Sequence, residues 1–235
     1  MIDSVPQYVS VTFVLTTFLT VGILCYAIQV KNLASRPANL AFLMVAFWLV
    51  FQAVLSITGF FLDTTAVPPR FPLIAVPTLF FIAFLFVFYR EAFIEQLPLR
   101  VLTVIHIVRI PVEIVLWWLY QADQVPRLMT FEGRNFDILA GFTAPLIAWL
   151  AFRQGKINRP LLVIWNIVCL ILLTNIVVNA ILSVPGPIQQ FAFDQPNRAV
   201  LNFPFVWLPA IIVPIVLFSH LTSLWQLFGG TPQKT

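Results

Sequence analysis

Long apolar segments alternate with short polar stretches along the chain, and seven of the segments meet or approach the length of a membrane span. A helix needs about 20 mainly apolar residues to cross a bilayer. Strands are excluded because the backbone groups of an isolated strand in lipid would lack hydrogen-bond partners. The pattern therefore predicts an all-α, seven-transmembrane-helix bundle that forms a single transmembrane domain over residues 1–235. The predicted spans are residues 8–30, 38–62, 71–89, 97–121, 136–152, 160–184 and 203–228, of which the fifth is the shortest.

Prolines inside these segments predict local distortions of the helices. Pro111 lies in the fourth span, and both Pro209 and Pro214 lie in the seventh. Because proline has no backbone N–H and its ring clashes with the preceding turn, it kinks a helix or frees a carbonyl. We therefore expect a distortion around Pro111 and a bent or locally unwound seventh span.

Composition supports a membrane protein and argues against a soluble domain. The chain is 60% hydrophobic and 9% charged, whereas soluble domains are about 45–50% apolar and about 25% charged. The formal net charge of +4 does not indicate a nucleic-acid partner, because the basic residues lie mostly in short loops. The expected partner of most of the surface is the lipid bilayer.

The distribution of lysine and arginine predicts the orientation in the membrane. Eight of these residues fall in the loops after the first, third and fifth spans or in the C-terminal tail, and four fall on the opposite side. Since cytoplasmic loops carry the excess of basic residues, the expected orientation is N-out, C-in. The first group is Lys31, Arg36, Arg90, Arg100, Arg153, Lys156, Arg159 and Lys234, and the second is Arg70, Arg127, Arg134 and Arg198.

Three ionisable residues form a polar stripe on the fourth span. His106, Arg109 and Glu113 fall within about 60° on a helical wheel. A charged residue in the middle of a membrane helix costs about 2.5–3.5 kcal/mol on insertion scales and is a functional hypothesis by default. One alternative is an internal Arg109–Glu113 pair that only locks helix packing. The other is a ligand, ion or proton site made from the same residues.

Polar residues outside the fourth span are candidates for the same site. Asn175 and Asn179 lie one turn apart on the sixth span, where they either join helices by hydrogen bonds or line a shared cavity. Arg134 and Asp137 lie just before and within the start of the fifth predicted span. They belong either to a lid that contacts a ligand or to an ordinary helix cap, in which Asn135 or Asp137 bonds the first turn.

The two histidines suggest a redox cofactor as an alternative. His106 and His220 lie on different spans at similar depth, and two such histidines can ligate one haem. Nothing in the sequence indicates a metal site of three or more ligands, and the isolated Cys25 and Cys169 form no CxxC motif. A retinal Schiff base is excluded because all three lysines lie in loops or the tail. Walker A, HExxH and GxSxG motifs do not occur in the sequence.

Three segments resemble a family of uncharacterised bacterial seven-span membrane proteins. They are residues 131–137 (FEGRNFD), 191–197 (FAFDQPN) and 203–209 (FPFVWLP). The resemblance extends over most of the chain and implies a multi-pass protein of the bacterial inner membrane. It implies no activity, cofactor or site residue.

The function expected from these observations is binding or passage of a small solute in an outward-opening polar cavity. The cavity would be lined by Arg109, Glu113, Asn175 and Asn179, with Arg109 as the anchor if the solute is an anion. One alternative is a haem-binding or other redox subunit that uses His106 and His220. Another is a structural subunit of an envelope complex, with a membrane-protein partner or a second copy of the chain. The sequence does not decide whether the protein is an enzyme.

Overall fold

The computed structural model describes residue 2, residues 4–30 and residues 36–229, and all regular secondary structure in this part of the chain is helical. Lys31 and Lys234, which contribute to the predicted orientation, lie outside the described residues. The helices are α1 (Gln7–Val30), α2 (Arg36–Ile57), α3 (Val76–Phe88), α4 (Leu99–Val104), α5 (Arg109–Gln121), α6 (Ile138–Ala151), α7 (Arg159–Leu182) and α8 (Val213–Phe228). The prediction of an all-α fold is therefore confirmed, and every predicted span contains at least one helix.

Four helical segments are long and apolar enough to cross a membrane. They are Gln7–Gln29, Arg36–Ile57, Arg159–Leu182 and Leu208–Phe228. Helices α3 and α6 are apolar but shorter. Large apolar side chains such as Leu43, Phe142 and Ile171 are exposed on the outer surface of the bundle. Such an apolar surface is stabilised by contact with lipid. Together with the four long apolar helices, it indicates a helical membrane protein.

The fourth predicted span is helical throughout but changes its winding in the middle. Helices α4 and α5 are joined by the 3₁₀ turn Ile105–Val108. Pro111 lies in the first turn of α5 and cannot donate to the carbonyl of Ile107, four residues earlier. The distortion expected at Pro111 is thus present, and it places His106 inside the tighter turn and Arg109 at the start of α5.

The seventh predicted span also departs from α-helical winding, but towards the wider π-helix. A π-helical segment, Leu208–Ile212, precedes α8, as expected from Pro209 and Pro214. Pro214 has no N–H for the carbonyl of Ala210, four residues earlier. The hydroxyl of Thr78 on α3 donates a hydrogen bond to that carbonyl at 3.3 Å. Thr78 therefore supplies a hydrogen bond to the Ala210 carbonyl, whose usual backbone donor is missing because residue 214 is proline.

Helix α6 packs closely against α5 through a face of small residues. This face comprises Ala140, Gly141, Ala144, Ala148 and Ala151, all of which are buried. Small residues let membrane helices approach each other closely. The closest approach is at Gly141, where an added Cβ would lie 2.7 Å from Ile110 Cγ1 and 3.0 Å from the Ile110 nitrogen. This contact fixes α6 against the turn that carries Arg109.

We predict that Gly141→Ala destabilises the protein although alanine is the better helix former. Overpacking a well-packed site costs about 1–3 kcal/mol, which exceeds the gain of up to about 1 kcal/mol from helix propensity. The matched control is Gly22→Ala in α1, where the added Cβ would have no neighbour within 4 Å. The melting temperature in detergent should fall for Gly141→Ala and stay unchanged or rise for Gly22→Ala. Equal melting temperatures for the two variants would contradict the close approach.

Candidate functional site

The polar stripe predicted on the fourth span lies inside the bundle. His106, Arg109 and Glu113 are 0%, 2% and 1% exposed, respectively. Burial of ionisable groups is costly unless each group is paired or hydrogen-bonded. The partners of these three side chains therefore define the candidate site.

Arg109 is held by two side chains from other parts of the chain. Its Nη1 donates to Asp137 Oδ1 at 2.7 Å, and its Nη2 lies 3.0 Å from His220 Nε2. Because a guanidinium only donates, His220 Nε2 must accept, and the ring proton is then on Nδ1. That Nδ1 in turn donates to Asn166 Oδ1 at 2.8 Å. The hydrogen-bond chain from Asp137 to Asn166 thus links the start of α6, the start of α5, the middle of α8 and the N-terminal half of α7.

The expected Arg109–Glu113 pair is not the one that forms, and this corrects the sequence-based interpretation. The ion pair of Arg109 is with Asp137. Glu113 Oε1 instead accepts a hydrogen bond of 2.6 Å from Asn135 Nδ2, while Asn135 Oδ1 accepts from the backbone N–H of Asp137 at 3.0 Å. The segment before α6 therefore supplies a separate partner for each charged residue of α5.

That segment, residues 127–137, folds into the bundle and is not an open loop over it. Met129, Thr130, Asn135 and Asp137 are all buried. Gly133 is required in this path because an added Cβ would overlap the backbone of Arg127 and lie 2.7 Å from Leu128 Cα. Asp137 occupies the N-cap position of α6 but makes no capping hydrogen bond with its side chain. Its carboxylate binds Arg109, so the capping alternative is wrong for Asp137.

The other predicted site residues lie outside this cluster. Arg134 is exposed, and its carbonyl accepts a hydrogen bond of 2.8 Å from Asn175 Nδ2. Asn179 Nδ2 donates to Asn175 Oδ1 at 3.2 Å. The Asn175 contact therefore joins the segment 127–137 to α7, whereas the Asn179 contact lies within α7. The structure does not bring Arg134, Asn175 or Asn179 to the cavity described below.

The two histidines meet, but in a geometry unsuited to a shared haem. Their rings are stacked face to face, with centroids 3.9 Å apart and planes inclined by 21°. Axial ligands must instead point ring nitrogens at an iron between them, and here van der Waals contact leaves no room for a porphyrin. Both nitrogens of His220 are also engaged. The arrangement therefore argues against haem at His106 and His220.

His106 is packed but not hydrogen-bonded within the described part of the chain. Neither of its ring nitrogens has a partner there. Its ring contacts the face of His220 and the edge of Trp165, the latter at a centroid distance of 5.3 Å. His106 thus forms one wall of the cluster and makes no direct contribution to the hydrogen-bond chain.

A cavity of about 400 Å³ opens between α3, α5, α7 and α8, next to the charged cluster. Its wall is almost entirely apolar, and its polar atoms come from Glu113, Asp137, Thr174 and Asn197. This cavity differs from the expected polar one, because Arg109, Asn175 and Asn179 do not line it and Glu113 does. Glu113 Oε2 and Asn197 Oδ1 are buried and have no hydrogen-bond partner among the described residues.

Three asparagines of the cluster and the cavity wall are not predicted from the sequence in these positions. The sequence predicts Asn135 only as a helix cap, and Asn166 and Asn197 are not among the predicted site residues. Asn166 carried a usable signal, because a polar residue in the middle of an apolar span calls for an internal partner. Asn197 lies in a long connection, where nothing in the sequence distinguishes a buried asparagine from an exposed one.

These features define a helical membrane protein with an apolar cavity beside a buried charged cluster. The chain belongs to the family described as Domain of unknown function (DUF8737), which it matches over residues 69–228. The match extends from just before α3 to the end of α8 and includes every residue of the cluster and the cavity. No curated protein and no solved structure matches the chain.

We predict that removing one partner of the buried Arg109–Asp137 ion pair destabilises the protein far more than removing both partners. Loss of one partner leaves an uncompensated buried charge and typically costs about 3–5 kcal/mol, whereas replacing both can be nearly neutral. Asp137→Leu should therefore lower the melting temperature strongly, and Arg109→Met combined with Asp137→Leu should restore most of it.

The exposed pair Arg70–Asp63, with an N–O distance of 3.0 Å, is the matched control. Exposed pairs contribute about 0–1 kcal/mol, so Asp63→Leu should change the melting temperature little. If Asp137→Leu lowered the melting temperature no more than Asp63→Leu does, the buried Arg109–Asp137 pair would not be important for stability.

Proposed function

We propose that this protein binds, or passes, a small solute in the cavity beside Glu113. The observation that carries the proposal is that Glu113 lines an apolar space of about 400 Å³ while its buried Oε2 has no hydrogen-bond partner among the described residues. An unsatisfied buried polar group is costly, and in native proteins it calls for an explanation such as a ligand. Apolar pockets with few polar groups are the usual form of small-molecule sites.

The polar atoms of the cavity favour a solute that donates hydrogen bonds. Glu113 Oε2 and Asn197 Oδ1 are both acceptors. Arg109 was the expected anchor for an anion, but its two terminal nitrogens already bind Asp137 and His220. The proposed solute is therefore an amine, or an alcohol, with an apolar body.

The proposed setting is a seven-span protein in the bacterial inner membrane, oriented N-out, C-in. The helices within all seven predicted spans, the excess of basic residues in alternate loops and the family resemblance support this topology. In this orientation α3 and α6, which are too short to qualify alone, complete their spans with the flanking residues. The cavity then lies in the outer half of the bundle.

We predict that Glu113→Gln weakens binding of hexylamine to the purified protein by about tenfold or more. A hydrogen bond to a charged group contributes about 1.5–3 kcal/mol, and 1.4 kcal/mol corresponds to tenfold in affinity. Binding is measured as a ligand-induced rise in melting temperature and by calorimetry.

Glu132→Gln is the control, because Glu132 is an exposed carboxylate that hydrogen-bonds Trp117 and lies away from the cavity. Hexanoate tests the anionic alternative in the same assay. The proposal fails if neither hexylamine nor hexanol binds the wild type, or if Glu113→Gln binds hexylamine as tightly as Glu132→Gln does.

We predict that Gln7→Cys is labelled from outside the cell and Lys156→Cys only after permeabilisation, in a background without Cys25 and Cys169. The positive-inside rule places the loop with Arg153, Lys156 and Arg159 in the cytoplasm. An impermeant maleimide on whole cells provides the measurement. Labelling of both positions from the same side would overturn the proposed topology.

A further inference from the structure

A second apolar hollow continues the cavity along the outside of the bundle. It is a groove of about 700 Å³ between α3 and α8, whose walls include Ile82, Phe86, Leu221 and Trp225. Leu79 and Leu217 line both the groove and the cavity. The two hollows therefore adjoin at these two residues, and together they extend from Glu113 along α8.

The polarity of this space is confined to one end. The lining of the groove is apolar, apart from the indole of Trp225 and the backbone. The cavity end holds the two buried acceptors without a partner among the described residues, Glu113 Oε2 and Asn197 Oδ1. These residues are 1% and 0% exposed. A space with polar groups at one end and apolar walls along the rest of its length is complementary to an amphiphile, which has a polar head and an apolar chain.

The combined length of the cavity and the groove also fits a ligand with a long alkyl chain. Val213 lines the cavity and Trp225 lines the groove on the same helix. They are separated by about 18 Å along the axis, at about 1.5 Å of rise per residue. A compact solute would fill only the cavity and leave the groove to lipid. A long alkyl chain attached to the same head would occupy both.

We propose that the ligand of the Glu113 cavity is a single-chain amphiphile with a hydrogen-bond-donating head, whose apolar chain passes between Leu79 and Leu217 into the α3–α8 groove. This inference rests on the proposed function, since it takes Glu113 as the head-group site. The head donates to Glu113 Oε2 and Asn197 Oδ1. Each methylene of the chain that packs against the groove walls adds van der Waals contacts, and the affinity therefore rises with chain length.

The test compares hexylamine with hexadecylamine on the purified full-length protein in nanodiscs. Hexadecylamine should bind at least a hundredfold more tightly than hexylamine, after correction for partitioning into an empty nanodisc. Leu221→Trp, which fills part of the groove but lies outside the cavity lining, should abolish this advantage and leave hexylamine binding within a few-fold of wild type. Leu43→Trp is the control, because Leu43 is exposed on α2 and lines neither hollow.

Tryptophan fluorescence reports where the chain lies. Hexadecylamine brominated at its terminal carbons should quench emission in the wild type, and the quenching should fall in Trp225→Phe. Hexadecanol separates an alcohol head from an amine head in the same assay. Glu113→Gln should weaken both long and short amines, because it acts on the head alone.

The outcomes distinguish failure of this inference from failure of the proposed function. Binding of hexylamine that depends on Glu113, without a gain from the longer chain or an effect of Leu221→Trp on hexadecylamine, would leave the cavity site standing and overturn the amphiphile. Binding of hexadecylamine that is insensitive to both Glu113→Gln and Leu221→Trp would show partitioning into lipid and overturn the inference. Absence of binding by both amines and by both alcohols, hexanol and hexadecanol, would overturn both proposals.

Discussion

The buried guanidinium of Arg109 is the constraint on which the arrangement of the bundle depends. A charge in the interior of a membrane protein must find its partners within the protein. Asp137 neutralises it at 2.7 Å and His220 accepts its second hydrogen bond at 3.0 Å. To deliver these groups, the start of α6 must reach the first turn of α5, and α8 must turn one particular face inward. The small-residue face of α6 makes that approach sterically possible.

The segment 127–137 connects stability with the cavity. Asp137 belongs both to the ion pair and to the cavity wall. Asn135 holds Glu113, a residue of the cavity wall, through one carboxylate oxygen, and the other oxygen has no hydrogen-bond partner among the described residues. The groups that satisfy the buried charge of α5 thus also orient the proposed binding group. A pre-oriented side chain is what a binding site needs, because less conformational freedom is then lost when a ligand binds.

Local patterns in the sequence predicted the helices and their distortions, but not the partners of the charged residues. The apolar segments located every helix, and Pro111 and Pro214 located the turns where the winding changes. The stripe of His106, Arg109 and Glu113 was predicted from helical spacing, and all three side chains are buried. Its pairing was not predicted, because helical spacing shows only which residues share a helix face. Asp137 is 28 residues from Arg109 and His220 is 111 residues away, and such distant contacts depend on how the helices pack.

The hydrogen bond from Thr78 to the Ala210 carbonyl means that the bend before α8 is stabilised by a residue of a different helix. A backbone carbonyl without a donor costs several kcal/mol where water is absent, and the usual donor is missing because residue 214 is proline. The donor comes from α3, the helix that faces α8 across the groove. The stability of the bend therefore depends on the position of α3. A displacement of α3 that breaks this hydrogen bond would destabilise the bent conformation before α8.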